Sequence, residues 1–341
     1  MTTLVAEDIT SRLTRVTATV DARAADLDAG RTDVRDDLKA LGAAGLFGLP
    51  DLADTARVIE RVAAVSLAAG FAAWAHRMTI HYLGDGQPGL SGALLGARRP
   101  GVTAMAAGLK HVAGLGQLPL VAEEDRGGLR ISGPIRWASN VFDDAVVVLP
   151  ARTAAGRLYV AAVDVDSPGV DVNPAPVLMA LGATGSTSLR LQDVAVGVDR
   201  IISTDLTAFV RRIKPTFLLL QTAFCVGVTG TALTGAAAAT DPLAAQFDDE
   251  LATLNTAAAG NRQRLYEFAS APAEAGIAEI IRLRLAAANV AVAATRLESA
   301  LAGGQGYRSG TAANRRFREA AFLPVQSPSE GQLRWELKQY G

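Results

Sequence analysis

Few side chains in this sequence are equipped for acid–base, nucleophilic or metal chemistry. Three histidines occur, His76, His81 and His111, and one cysteine, Cys225. A single cysteine excludes a disulfide framework and any cysteine-based zinc site. His76 and His81 lie five residues apart in FAAWAHRMTIHYL, so on a helix they point about 140° away from each other. That spacing disfavours a shared metal ion or a proton relay. It leaves one of them, His81 for choice, free to act as a general acid or base. The plainer assignment is one solvent-facing histidine and one hydrogen-bonded in a core. No metal site is expected. Arg57, Glu60 and Arg61 read as one charged, solvated helix face. No GxGxxG follows a strand pattern, and no GxxxxGK[ST] loop occurs.

The elements that must position these groups come in three runs. Residues 1–100 read as helices, with Leu13, Val16, Val20 and Ala24 at helical spacing, a second segment over 33–46 and a long one over 53–83. Gly84-Asp85-Gly86 breaks that segment. Residues 101–203 carry short β-branched runs at 102–107, 118–122, 129–132, 135–138, 145–149, 158–165 and 187–191. Turn residues such as Asp125-Arg126-Gly127-Gly128 separate them. From 204 to 341 the pattern is helical again, over 207–239, 243–255, 258–269, 273–302 and 330–340. The expected fold is α+β and multidomain: an N-terminal helical domain (1–100), a central antiparallel β-barrel or sandwich (101–203) and a C-terminal four-helix bundle (204–341).

The composition supports a packed protein. Of 341 residues, 50% are apolar and 20% charged, which suffices for a core. The formal net charge of -1 gives no attraction to nucleic acid or to an anionic membrane. The N-terminus has no basic stretch followed by an apolar run, so a cytoplasmic protein is expected. The run from Pro215 to Thr240 has no charge, yet it contains Gln221 and several Thr and Gly. It reads as a helix buried in the bundle rather than a membrane span.

Four stretches, in order, resemble the acyl-CoA dehydrogenase family. LGAAGLFGLP at 41–50 is similar to the family's LGxxGLxGLxxP. ISGPIRWASN at 131–140 is similar to xxGxKxWxTN. Leu181-Gly182, Ser186 and Leu191-Gln192-Asp193-Val194 are similar to LGxRxSxxxxxxFxDVxVP. Gly303-Gly304-Gln305-Gly306-Tyr307 with Arg315 to Ala320 is similar to GGxGYxxxxxxxRxxRDA. The resemblance implies FAD held between the β segment and the bundle. Trp137 would cover the flavin ring, and the Ser139 hydroxyl would donate to a ring acceptor on its pyrimidine side. Gly303 and Gly304 would lie where a neighbouring subunit's backbone approaches the adenosine half.

The departures from the family are specific. Its catalytic glutamate lies nine residues after the arginine of RDA, and counting from Arg318 gives Ser327, which has no carboxylate basicity. Glu330 stands three residues further on, as a weak substitute or simply as an exposed acid at a helix start. Residues 106–111 replace the family's TExxxGSD loop, and residues 240–244 stand where RxxFG would supply an arginine to the pyrophosphate. The resemblance therefore implies an FAD-dependent oxidoreductase on an acyl thioester or related small molecule, of CH–CH donor type. Its alternatives are a glutamate-lacking subunit of a heteromeric acyl-CoA dehydrogenase, a flavin-dependent monooxygenase on the same fold, or a non-catalytic binding protein. A homo-oligomer or a hetero-oligomer with a related chain is implied as well.

Overall fold

The computed structural model describes residues 8–84 and 88–340. Part of the break expected at Gly84-Asp85-Gly86 lies outside those residues. The chain begins with α1 (Ile9–Asp28), started by the Asp8 carboxylate accepting from Ser11 N at 2.9 Å. Leu13, Val16, Val20, Ala24 and Leu27 form its buried stripe. There follow α2 (Arg35–Ala43), α3 (Leu52–Val65), α4 (Leu67–Leu83) and α5 (Pro88–Leu95).

The helix expected over 53–83 is two helices. Ser66 adopts extended φ/ψ of -154° and 113°, and its hydroxyl accepts from Ala69 N at 3.2 Å. The same residue ends α3, donating its own N–H to Val62 O. Two groups from far along the chain hold the break open: Arg315 donates to Val65 O at 3.0 Å, and Glu319 accepts from Ala68 N at 3.3 Å.

The strands are β1 (Gly101–Thr103), then after a helix α6 (Ala106–Val112), β2 (Val121–Asp125), β3 (Gly128–Ala138), β4 (Val146–Arg152), β5 (Leu158–Asp164), β6 (Val170–Val172), β7 (Thr187–Gly197) and β8 (Ile201–Ser203). They form one sheet in the order β6-β7-β3-β2-β4-β5-β8, with β1 on β4. Most ladders are antiparallel, and β1–β4 and the Val121–Arg152 contact are parallel, so the sheet is mixed. The strand expected over 102–107 stops at Thr103, and residues 106–107 start α6. The runs 129–132 and 135–138 join into β3 through a register irregularity between Ile131 and Gly133.

Strand β4 is buried on both faces, which explains its continuous VVVL run. Val147 and Leu149 share a cluster with Ile131, Leu189, Leu191, Ala161 and Val163, so the sheet curls over its own core. Val146 and Val148 point the other way, into a cluster with Met78, Phe217, Leu220 and Phe224. One cluster therefore runs from the helices onto one face of β4 and β5, while the other face of the sheet closes a cluster of its own.

The C-terminal run contains α7 (Leu206–Ala237), α8 (Asp248–Ser270), α9 (Ile277–Leu301), α10 (Gly304–Tyr307), α11 (Ala312–Ala320) and α12 (Glu330–Leu337). The helices expected over 243–255 and 258–269 are largely the single α8, because no Gly or Pro separates Asn255 from Ala258. Helix α7 is long and apolar enough to cross a membrane by length and composition, and 83% of its most apolar window is buried, as in a core helix. Helix α3 packs directly on α7. There Glu60, read above as solvated, is 8% exposed and accepts from Arg262 at 2.7 Å and from the Tyr266 hydroxyl.

Candidate functional site

A cavity of about 780 Å³ opens between the sheet and the helices, within the size range of small-molecule sites. The end of β3, helices α4, α6 and α7, the loop at 178–181 and the segment at 318–327 line it. One wall is aromatic: Phe71 stacks on Trp74 at 5.5 Å, and Trp74 meets Phe217 edge-on at 4.8 Å. Trp74 Nε1 is tied to Phe217 O at 3.3 Å, so that wall is fixed.

On the sheet side Trp137 lines the cavity with 47% of its surface exposed. Ser139, two residues on, is buried in a chain of hydroxyls. Ser139 Oγ lies 2.7 Å from Ser186 Oγ, and Ser186 Oγ lies 2.7 Å from Thr184 Oγ1. Thr184 Oγ1 lies 2.7 Å from the Leu181 carbonyl. A carbonyl only accepts, so Thr184 donates to it, Ser186 donates to Thr184 and Ser139 donates to Ser186. The Ser139 proton is thus committed inward, and what its oxygen offers a ligand is lone pairs. This orientation reverses the donor role that the resemblance implies for Ser139.

The charged residues lining the cavity are Lys110, Arg136 and Arg318, and no Asp or Glu joins them among the described residues. Arg318 is already engaged, donating to Asp28 at 2.9 Å and to Met179 O at 3.0 Å. Lys110 and Arg136 are exposed on the lining with no ion-pair partner among the described residues.

No protein-family model and no curated protein matches this sequence. Solved structures do match the fold. Butyryl-CoA dehydrogenase from Megasphaera elsdenii superposes with a TM-score of 0.87 at 14% identity, covering 98% of each chain. PigA, solved with FAD and proline, gives 0.82 at 15% identity over 96% of this chain and 97% of its own. Dibenzothiophene monooxygenase from Paenibacillus sp. A11-2 gives 0.77 at 16% identity over 97% and 96%. The chain has the acyl-CoA dehydrogenase fold.

Within this acyl-CoA dehydrogenase fold the sequence-derived residues fall in different places. Trp137, Ser139 and Ser327 all line the cavity. Ser327 Oγ is buried and has no hydrogen-bond partner among the described residues. Glu330 does not line the cavity; it begins α12 and pairs with Arg334 at 2.6 Å. Gly303 and Gly304 join α9 to α10 away from the cavity, where an added Cβ would meet nothing.

The histidines are not brought to the cavity either. His76 is fully buried; its Nδ1 accepts from Gly101 N and its Nε2 contacts Leu94 O, both at 2.8 Å. A ring accepting at Nδ1 and donating at Nε2 is neutral, and burial pushes its pKa down to about 4. His81 is also pushed down to about 4, by desolvation first and then by Arg77 and Arg212. His111 contacts Gly116 O at 3.0 Å.

The residues that sequence reasoning missed are Gln326, Gln221 and Arg284. Gln326 lines the cavity, and all three are at least 96% buried. A signal existed: Arg282 and Arg284 sit two apart in an apolar stretch, so they cannot share one solvent face.

Proposed function

We propose that this chain is an FAD-dependent oxidoreductase of acyl-CoA dehydrogenase type, acting on an acyl thioester or a related small molecule. The observation that carries the reading is the cavity wall itself. It offers a half-exposed indole, an acceptor two residues on at Ser139, and cations without resident counter-ions. These suit FAD: a flat ring for the Trp137 face, a ring N–H for the Ser139 oxygen and phosphate charge for Lys110 and Arg136. Bound FAD would supply the electron acceptor that no side chain here provides. The aromatic wall of Phe71, Trp74 and Phe217 would exclude water from the substrate's apolar part. Gly303 and Gly304, away from the cavity, would act only through a second chain, so their role is proposed together with an oligomer of identical or related subunits.

A second reading, a flavin-dependent monooxygenase, draws on one observation. No carboxylate lines the cavity among the described residues, and Ser327 occupies the expected base position. Removal of an α-proton thus has no resident carboxylate base, whereas oxygen chemistry would not need one.

Titration of the purified chain with FAD, followed by visible absorbance after gel filtration, tests the proposal. Retained flavin is expected, and Trp137→Ala should weaken binding at least tenfold, or about 1.4 kcal/mol. A wild-type chain that retains no flavin overturns it. Anaerobic bleaching by an acyl-CoA separates dehydrogenation from oxygen-dependent turnover.

A further inference from the structure

Arg284, on α9, is 1% exposed and has no carboxylate partner among the described residues. Its guanidinium donates from Nε to Gln221 Oε1 at 3.2 Å, and from one terminal nitrogen to Gln326 Oε1 at 3.0 Å and Leu323 O at 3.3 Å. It also lies 5.8 Å from the centre of the Phe224 ring. Cys225 adds no negative charge, because burial pushes its thiol up. A buried cation without an anion is strongly disfavoured, so its presence asks for a reason.

The two glutamines carry that charge toward the cavity. A guanidinium only donates, so both amide oxygens must face Arg284, and this fixes both amide orientations. Gln221 Nε2 is then spent on Ser327 O at 2.9 Å. Gln326 Nε2 is left buried and without a partner among the described residues, as is Ser327 Oγ in the next residue. Gln326 is 4% exposed, and both residues line the cavity beside Phe71, Trp74, Phe217 and Phe322. Each amide is polarised by the cation it accepts from, which makes its remaining N–H groups stronger donors.

We infer that the bundle end of the cavity is a subsite for a carboxylate-bearing apolar small molecule, its carboxylate seated on Gln326 Nε2 and Ser327 Oγ and its apolar body on the aromatic wall. This deepens the oxidoreductase reading and rests on it for the cavity being the substrate site. The carboxylate supplies the negative charge that Arg284 lacks and satisfies two orphaned donors at once.

Calorimetric titration of the full chain with 3-phenylpropionate and with hexanoate, each against its neutral amide, tests the inference. The carboxylates should bind at least tenfold more tightly than the amides. Ser327→Ala and, separately, Gln326→Glu, which places a carboxylate on Arg284, should each abolish that preference. Thermal unfolding verifies that each variant is folded, and Ser327→Ala alone suffices if Gln326→Glu is not. Equal binding of acid and amide, no binding of either, or a preference unchanged in folded variants overturns the subsite. The FAD titration is read in parallel. Flavin retained without a carboxylate preference sinks the subsite alone; a carboxylate preference without flavin supports the subsite and sinks the oxidoreductase reading.

Discussion

Glu319 shows how one side chain can make stability depend on pH. It is 2% exposed, with one oxygen accepting from Ala68 N and the other, Oε2, without a partner among the described residues. Burial raises its pKa from 4.5 to about 7, against the opposing pull of Arg315. The folded chain therefore holds a proton that the unfolded chain has lost between about 4.5 and about 7. Its contribution to stability falls as pH rises through that window and is constant above it, a change on the order of 3 kcal/mol. His76 works in the opposite sense: its pKa drops from 6.5 to about 4, so its contribution is lost as pH falls through that range. The wild-type profile mixes these with His81, also lowered to about 4, and Asp37, raised to about 6 by burial. Glu319→Gln isolates one of them: denaturant unfolding should find the variant gaining on wild type as pH rises from about 4.5 to about 7. A constant gap would show that Glu319 titrates normally. Ser139 was legible as a hydroxyl two residues beyond Trp137, and it lies just past the end of β3, but the direction of its hydrogen bond was not legible. That direction depends on Thr184 and on the Leu181 carbonyl, more than forty residues away along the chain.

The break between α3 and α4 is set by a cap and by two distant side chains. Apolar periodicity continues through residues 53–83, so the sequence pattern alone argues for one helix. Ser66 ends that run because its hydroxyl captures Ala69 N, and because Arg315 and Glu319 satisfy the backbone groups the break exposes. Ser66→Ala should cost about 1 kcal/mol, as loss of an N-cap does, measured as a shift in the denaturant midpoint. No change would mean the distant Arg315 and Glu319 hold the break without the cap. Helix α7 gives the converse case. Its missing charges alone would fit a membrane span, and Gln221 among the Thr and Gly residues argued for the buried helix that is found, yet no local pattern named a partner for Gln221. Its purpose lies on α9, where Arg284 needs an acceptor.

Across the whole molecule, close approach of α3 to α7 ties the N-terminal helices to the bundle. At Gly227 an added Cβ would lie 2.2 Å from the Glu60 carbonyl oxygen and 3.0 Å from Ala64 N. Both are backbone atoms, so no side chain can move aside. Thr231 donates to Ala64 O at 2.7 Å one turn later and fixes the same spacing. Gly227→Ala should therefore destabilise by about 1–3 kcal/mol, lowering the thermal midpoint. An unchanged midpoint would mean that the helices separate freely. The cavity shares this dependence, since α4 and α7 form its aromatic wall.

Residue order and patterning alone determined the helix–strand–helix plan, the buried character of α7 and the serine at position 327. Those are local properties: periodicity states which residues share a face, and a motif count states which residue stands at a position. Only the tertiary structure decided what each face meets. It buried Glu60 against Arg262 and Tyr266 and kept the three histidines off the cavity lining. It also left Gly303 and Gly304 away from the cavity, and it placed an unpaired Arg284 behind Gln326. Burial, hydrogen-bond direction and charge compensation depend on partners tens to hundreds of residues away. No local window of sequence contains them.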